Sequence, residues 1–188
     1  MFERFTRDAR EVVQGALAHC ERSGERTVGA EHLLLALLDR EGSPASCALA
    51  ALGLAGREAS VREALDEARR RGGLSRAESD ALAGLGIDVP EIVARVEEVH
   101  GAGAMSGDPE DRHRRPGRRP GFGRGAKGVL EKALRVAVGH RDRHIGDEHL
   151  LLALTVLPGV TGEVLADHGV THASVTRVLY GAGEAQAG

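Results

Sequence analysis

Val28-Gly29-Ala30-Glu31-His32-Leu33-Leu34-Leu35-Ala36-Leu37 returns 117 positions later as Ile145-Gly146-Asp147-Glu148-His149-Leu150-Leu151-Leu152-Ala153-Leu154. The match runs upstream without a gap. Phe5, Ala9, Val12, Ala16, Leu17, Arg26 and Gly29 fall on Phe122, Ala126, Val129, Ala133, Leu134, Arg143 and Gly146. Each copy of such a repeat is one supersecondary unit whose apolar face needs a neighbour, so the two copies are expected to pack together. The chain reads as a tandem duplication.

Working outward from the motif, the first copy spans 1–71. Between Thr6 and Glu21 the apolar residues Ala9, Val12, Val13, Ala16, Leu17 and Cys20 mark one face of a helix, with Thr6 as its cap and Gly24 as its stop. The motif itself opens a second helix near Ala30 or Glu31, and its leucines are apolar all round, so it should be the buried centre of its unit. A third helix, 45–52, ends at Gly53, and a fourth, about 57–71, turns Val61, Ala64, Leu65 and Ala68 inward. Residues 122–181 repeat this plan: Gly146 or Asp147 opens the Leu-rich helix and Pro158-Gly159 closes it.

Between the copies, 72–101 has no counterpart and reads as a helical extension. Asp88 is a cap there, and Ile92, Val93, Val96 and Val99 form the apolar face of its last helix. Residues 102–121 are crowded with Gly, Pro and Arg, too little apolar surface to offset the entropy of ordering, so a flexible linker is expected. The tail 182–188 is expected to be disordered.

Composition agrees with an all-α fold. Trp is absent and only one Tyr and three Phe occur, while helix formers dominate. A net charge of −3 gives no general attraction to nucleic acid or anionic membranes. Cys20 and Cys47 lack metal-ligand spacing and read as buried free thiols in a reducing compartment. No apolar run suits a signal peptide or a membrane span, and a cytoplasmic location is expected.

Several chemistries can be weighed on their residues. His144, Glu148 and His149 approach the H-x-x-E-H zinc pattern but are one residue too long, and Glu31-His32 lacks the i, i+4 spacing that two-His sites use. A Glu in a first turn serves the helix dipole, and the neighbouring His is expected to satisfy backbone groups. Gly121–Gly128 looks like a phosphate loop, yet Ala126 and Gly128 flank Lys127 where Gly and Ser or Thr are needed, so nucleotide binding is excluded. No Ser-His-Asp or Cys-His set is recognisable. Neither an enzyme nor a cofactor is expected. The run Arg112 to Arg119 could contact phosphates as a nucleic-acid-binding arm, but a solvated linker is the better account of it.

The doubled motif, together with Met1-Phe2-Glu3-Arg4-Phe5-Thr6, resembles the tandem-repeat N-terminal domain of the Clp unfoldases, closest to the ClpC type. The resemblance covers most of 1–71 and 122–180. It implies two pseudo-twofold-related units of about four short helices each. It also implies a module that receives substrates and adaptors for the Clp protease system and, in the ClpC type, recognises arginine-phosphorylated proteins. There the motif Glu grips the guanidinium, while a Thr at the start of the first helix and a basic residue four positions on meet the phosphate, a division that suits both charges. Carried over by repeat, the first copy offers Thr6, Arg10 and Glu31, and the second offers Lys127 and Glu148. Gly123 stands where the second Thr should be, so the first pocket reads as intact and the second as impaired. Ala30 replaces the usual Thr before Glu31, whereas Asp147 is expected to keep a capping side chain before Glu148. With no ATPase module or P-loop in the chain, a free-standing adaptor, regulator or decoy is expected.

Overall fold

The computed structural model describes residues 3–101, 105 and 119–181. The expected tail, most of the expected linker and the arginine run up to Arg118 lie outside them. Helix α1 (Arg7–Ser23) starts where the Thr6 hydroxyl accepts the Ala9 N–H, and it ends at Gly24 in the left-handed conformation, φ 72°. Helix α7 (Arg124–His140) covers the matching span residue for residue. Gly123 begins it without a capping side chain, and Arg141 takes the place of Gly24 at φ 61°. Among the described residues Arg141 alone reaches positive φ without being glycine.

The central helices are α2 (Ala30–Leu38) and α8 (Asp147–Val156). Leu33, Leu34 and Leu37 of α2 and Leu150, Leu151, Leu152 and Leu154 of α8 are fully buried. Each such side chain contributes roughly 1.5–3 kcal/mol through its removal from water. Helices α3 (Pro44–Ala51) and α4 (Glu58–Arg70) complete the first unit, and α9 (Val160–Asp167) and α10 (His172–Tyr180) complete the second. The extension is a pair of helices, α5 (Arg76–Gly84) and α6 (Val89–His100), with α6 packed on α4.

The two units lock crosswise. Strand β1 (Thr27–Val28) pairs in parallel with β2 (Gly121–Phe122), and Phe5 forms a matching parallel bridge with Ile145. Shifting Phe5 and Ile145 by one repeat gives Phe122 and Val28, so the two contacts are images of each other. Helix packing follows the same rule: α4 lies on α9 while α3 lies on α10, and α1 meets α8 while α2 meets α7. One apolar core therefore draws on both copies, from Phe5 and Val12 to Leu165 and Val175. The all-α fold read from the composition, and the pseudo-twofold pairing that the resemblance implies, are the ones observed.

Two expectations are corrected. Cys20 is buried but Cys47 is exposed, because α3 turns only Ala45, Ala48 and Leu49 inward. On α6 it is Val89 and Val93 that are buried, leaving Ile92 and Val99 exposed, since α6 rests on α4 and α5 along one narrow stripe.

Candidate functional site

The Gly-x-Glu-His motif builds the same device twice. Neither Gly29 nor Gly146 caps its helix with a side chain. Instead the His three residues on reaches back: Gly29 N–H donates to His32 Nδ1 at 2.9 Å, and Gly146 N–H donates to His149 Nδ1 at 2.9 Å. An accepting Nδ1 leaves the proton on Nε2. In the first copy that nitrogen faces the Glu25 carboxylate at 3.6 Å; in the second it meets Asp142 at 2.9 Å. Glu25 and Asp142 are themselves repeat equivalents. The histidines thus serve the backbone, as the sequence suggested, and an acid behind each fixes its orientation.

The glycine has a second purpose. Both sit at ordinary extended φ, −95° and −90°, so no backbone conformation requires them. A Cβ on Gly29 would land inside the Glu31 carboxylate, and one on Gly146 inside that of Glu148. Each carboxylate is folded back over the first turn of its own helix, where it meets the positive end of the dipole. The Glu31 side chain remains 43% exposed and that of Glu148 20%, so both open to solvent.

Charge separates the two copies. Both place an imidazole Nδ1 3.2 Å from the carboxylate. At Glu31, burial pushes the carboxyl up, but His32, the backbone amide of Glu31 itself and the Arg69 guanidinium outweigh it and hold the pKa below its usual value. At Glu148, burial again pushes up, and Asp147 and Asp142 add to it, so the carboxyl rises to about 7. Asp147 does not cap. It is the first helical residue, one past the N-cap Gly146, and is wholly buried, with no donor to either carboxylate oxygen among the described residues. Tyr180, 3.3 Å from His149 Nε2 and stacked on His140, is pushed up to about 12 by burial and by these acids.

The helix starts that precede the candidate residues are tied across the two copies by backbone hydrogen bonds. Thr6 N–H donates to Ile145 O at 2.9 Å, and Gly123 N–H donates to Val28 O at 3.0 Å. The start of α1 is thereby bonded to the segment leading into Glu148, and the start of α7 to the segment leading into Glu31. A Cβ built on Gly125 would lie 3.7 Å from Ala30 N, confirming how closely α7 and α2 approach at their starts. The backbone thus ties the start of each copy's first helix to the motif segment of the other copy. Arg10 and Lys127 are exposed, and Arg10 Nε donates to Thr6 O at 3.3 Å. Gly123 is buried, and a Cβ there would meet Thr27 Cγ2 at 2.6 Å. The missing hydroxyl is thus tied to a crowding threonine.

Glu25, Glu31 and His32 bring donor atoms within 4.8 Å of one another, which raises the question of a metal. Both imidazole nitrogens are engaged, Nδ1 with Gly29 and Nε2 toward Glu25 and Ser23, and Arg69 lies 3.7 Å from Glu25. A cation on His32 would have to break the cap of α2, so these residues fit a hydrogen-bonded cap and not a metal site. The sequence reading missed the roles of Gly29, Gly146, Glu25 and Asp142. Their recurrence at the repeat spacing was the signal available.

Residues 4–83 match the family model for the Clp repeat (R) N-terminal domain. The whole chain is similar to the N-terminal domain of the caseinolytic protease associated chaperone ClpD from Arabidopsis thaliana. That likeness has 19% identity and a TM-score of 0.52, covering 97% of this chain and 96% of the other. It is also similar to a chain of a malarial protein secretion system, with 12% identity, coverage of 98% and 97%, and a TM-score of 0.50. A third likeness is to the Hsp104 N-terminal domain from Candida albicans, at 16% identity, coverage of 96% and 93%, and a TM-score of 0.49. At these identities the first two establish a shared fold, that of the Clp N-terminal domain.

Proposed function

We propose that this chain is a recognition module of the Clp type, closest to ClpC, which binds polypeptides or adaptors destined for a Clp unfoldase and catalyses nothing itself. Its two mouths take arginine-phosphorylated side chains. The observation that carries this reading is the crosswise apposition of helix starts, which puts a phosphate-compatible end beside a guanidinium-compatible carboxylate. At the first mouth the Thr6 hydroxyl, the positive end of α1 and Arg10 suit a phosphoryl group, while Glu148 suits the guanidinium. At the second, Gly123 offers amides alone, Lys127 supplies the charge and Glu31 the carboxylate. The family match over residues 4–83 supports the same reading.

Titration with phosphoarginine, followed by NMR, tests it. Thr6→Ala and Glu148→Ala should weaken the same set of shifts, and Glu31→Ala should weaken the other. Wild-type affinity in a Glu31→Ala, Glu148→Ala double variant would remove the assignment. Whether the module delivers or withholds its cargo is read by co-purification: a Clp ring component among the bound proteins marks an adaptor or regulator, and cargo alone marks a decoy.

A further inference from the structure

Arg69, in the last turn of α4, is a charge that the recognition site leaves unassigned. Its Nη1 lies 3.7 Å from Glu25 Oε1, and its Nη2 lies 3.7 Å from Glu97 Oε1 on α6. Both separations exceed hydrogen-bonding distance, so what ties the guanidinium to these acids is charge. A Glu25 oxygen in turn lies within 4.8 Å of a Glu31 oxygen. His32 accepts the Gly29 N–H through Nδ1, which leaves that ring one N–H and no charge to set against two carboxylates. The Arg69 guanidinium supplies it.

We propose that Arg69 is the specificity-determining residue of the Glu31 mouth: an internal guanidinium, steadied by Glu97 of the extension, that makes the mouth select an arginine side chain carrying a phosphoryl group over a bare one. This rests on the recognition reading above and assigns the selection within it to a residue outside the motif. The physics is a balance of charge. Glu25 and Glu31 alone would attract any guanidinium. With Arg69 beside them an unmodified arginine gains less, because its cation approaches a like charge. A phosphoryl group, with about two negative charges, reverses the sign and is drawn to the same residue. Arg69 is 33% exposed, so water screens its field and the effect is roughly three- to tenfold in affinity.

The other mouth is built differently. Asp142 and Glu148 lie against His149, at 2.9 and 3.2 Å, and Asp147 has no donor on either oxygen. Among the described residues no lysine or arginine is ion-paired with any of these three acids. Helix length supplies the reason. Helix α10 runs for nine residues and ends at Tyr180, whereas α4 runs for thirteen, and it is the last turn of α4 that carries Arg69. Helix α6, which brings Glu97 to Arg69, packs on α4 and belongs to the stretch between the copies. The extension thereby has a purpose: it holds at the mouth a long side chain that would otherwise sample solvent.

N-acetyl-arginine amide and its guanidino-phosphorylated form are titrated separately into the intact chain. NMR follows the amides of Gly29 and Glu31 for one mouth and those of Gly146 and Glu148 for the other. Arg69→Gln should strengthen binding of the unmodified probe at the Glu31 mouth about three- to tenfold and weaken that of the phosphorylated probe by a similar factor. The Glu148 mouth should stay within about twofold of wild type for both probes. Arg69→Met removes the charge while keeping a long stem, and it stands in if Arg69→Gln fails to fold. Arg69→Lys keeps the charge and should keep the wild-type preference. A merely structural role would weaken both probes together. A change in the same direction for both, a shift in their ratio of under about twofold, or loss of the preference in Arg69→Lys therefore overturns the proposal. If the phosphorylated probe still binds at the Glu31 mouth under any of those outcomes, the recognition reading stands; if it binds at neither mouth of the wild-type chain, both fall together.

Discussion

Gly29→Ala is the substitution that most directly interrogates the motif. Backbone strain is not an issue, since φ is −95°, and the three nearest atoms to the new methyl all belong to the Glu31 carboxyl group. The methyl must therefore expel the carboxylate from the first turn of α2. Losing a partly buried acid at a helix start costs about 0.3–2 kcal/mol, and Ala is a poorer residue than Gly at that position by roughly half a kcal/mol. The expected destabilisation is about 1–2 kcal/mol. Glu31→Ala alone removes the same carboxylate and should cost about 0.5–1.5 kcal/mol. In the double variant the methyl has nothing left to expel, so the total should be close to that of Gly29→Ala alone, with a coupling of about 0.5–1.5 kcal/mol. Urea unfolding of the four proteins measures this, and thermal melts should move by about 2–4 °C per kcal/mol for a chain of this size. Additivity within about 0.3 kcal/mol would show that Gly29 and Glu31 do not meet, and the account of the motif would be refuted.

Other substitutions test separate parts of the structure. Arg141→Gly relieves the left-handed arginine that ends α7 and should stabilise by about 0.5–1 kcal/mol in urea melts. Gly139→Ala, inside α7 with nothing within 4 Å of the added methyl, should add a similar amount by calorimetry. Glu148→Gln separates by pH. The raised carboxyl binds its proton more tightly folded than unfolded, so its penalty is absent below about pH 4.5 and grows as pH rises toward 7, by at most about 1.4 kcal/mol per unit. The variant should accordingly match wild type in stability at pH 4.5 and exceed it at pH 8. Gly123→Thr combined with Thr27→Ser, which removes the crowding methyl, should tighten phosphoarginine binding at the Glu31 mouth, whereas Gly123→Thr alone should destabilise the fold.

The fold was legible because its signals were local and doubled. The 3.6-residue face from Ala9 to Cys20, the Thr6 cap and the leucine run each sit within one helix, and the second copy checked the first. The site was less legible. Which helix start lies by which motif segment depends on short parallel pairings between opposite copies, and nothing in the spacing of Thr6, Glu31 and Glu148 encodes that crossing. Asp147 looked like a cap because Asp is a good one, but α8 starts one residue earlier, with Gly146 at the N-cap, and leaves Asp147 inside the helix. The exposure of Cys47 and Val99 follows from which neighbours α3 and α6 find, which is again a tertiary fact. Gly29 and Gly146, by contrast, were visible in the repeat, and only their reason was hidden.

The parallel bridges at Phe5–Ile145 and Val28–Phe122 mean that neither copy owns a complete mouth. A change in one half therefore bears on the edge of the other. The couple is unequal: one half carries Thr6 and Asp147 where the other carries Gly123 and Ala30, and only Glu31 has an arginine neighbour, Arg69, holding its charge. The two openings differ, yet they are inseparable by construction.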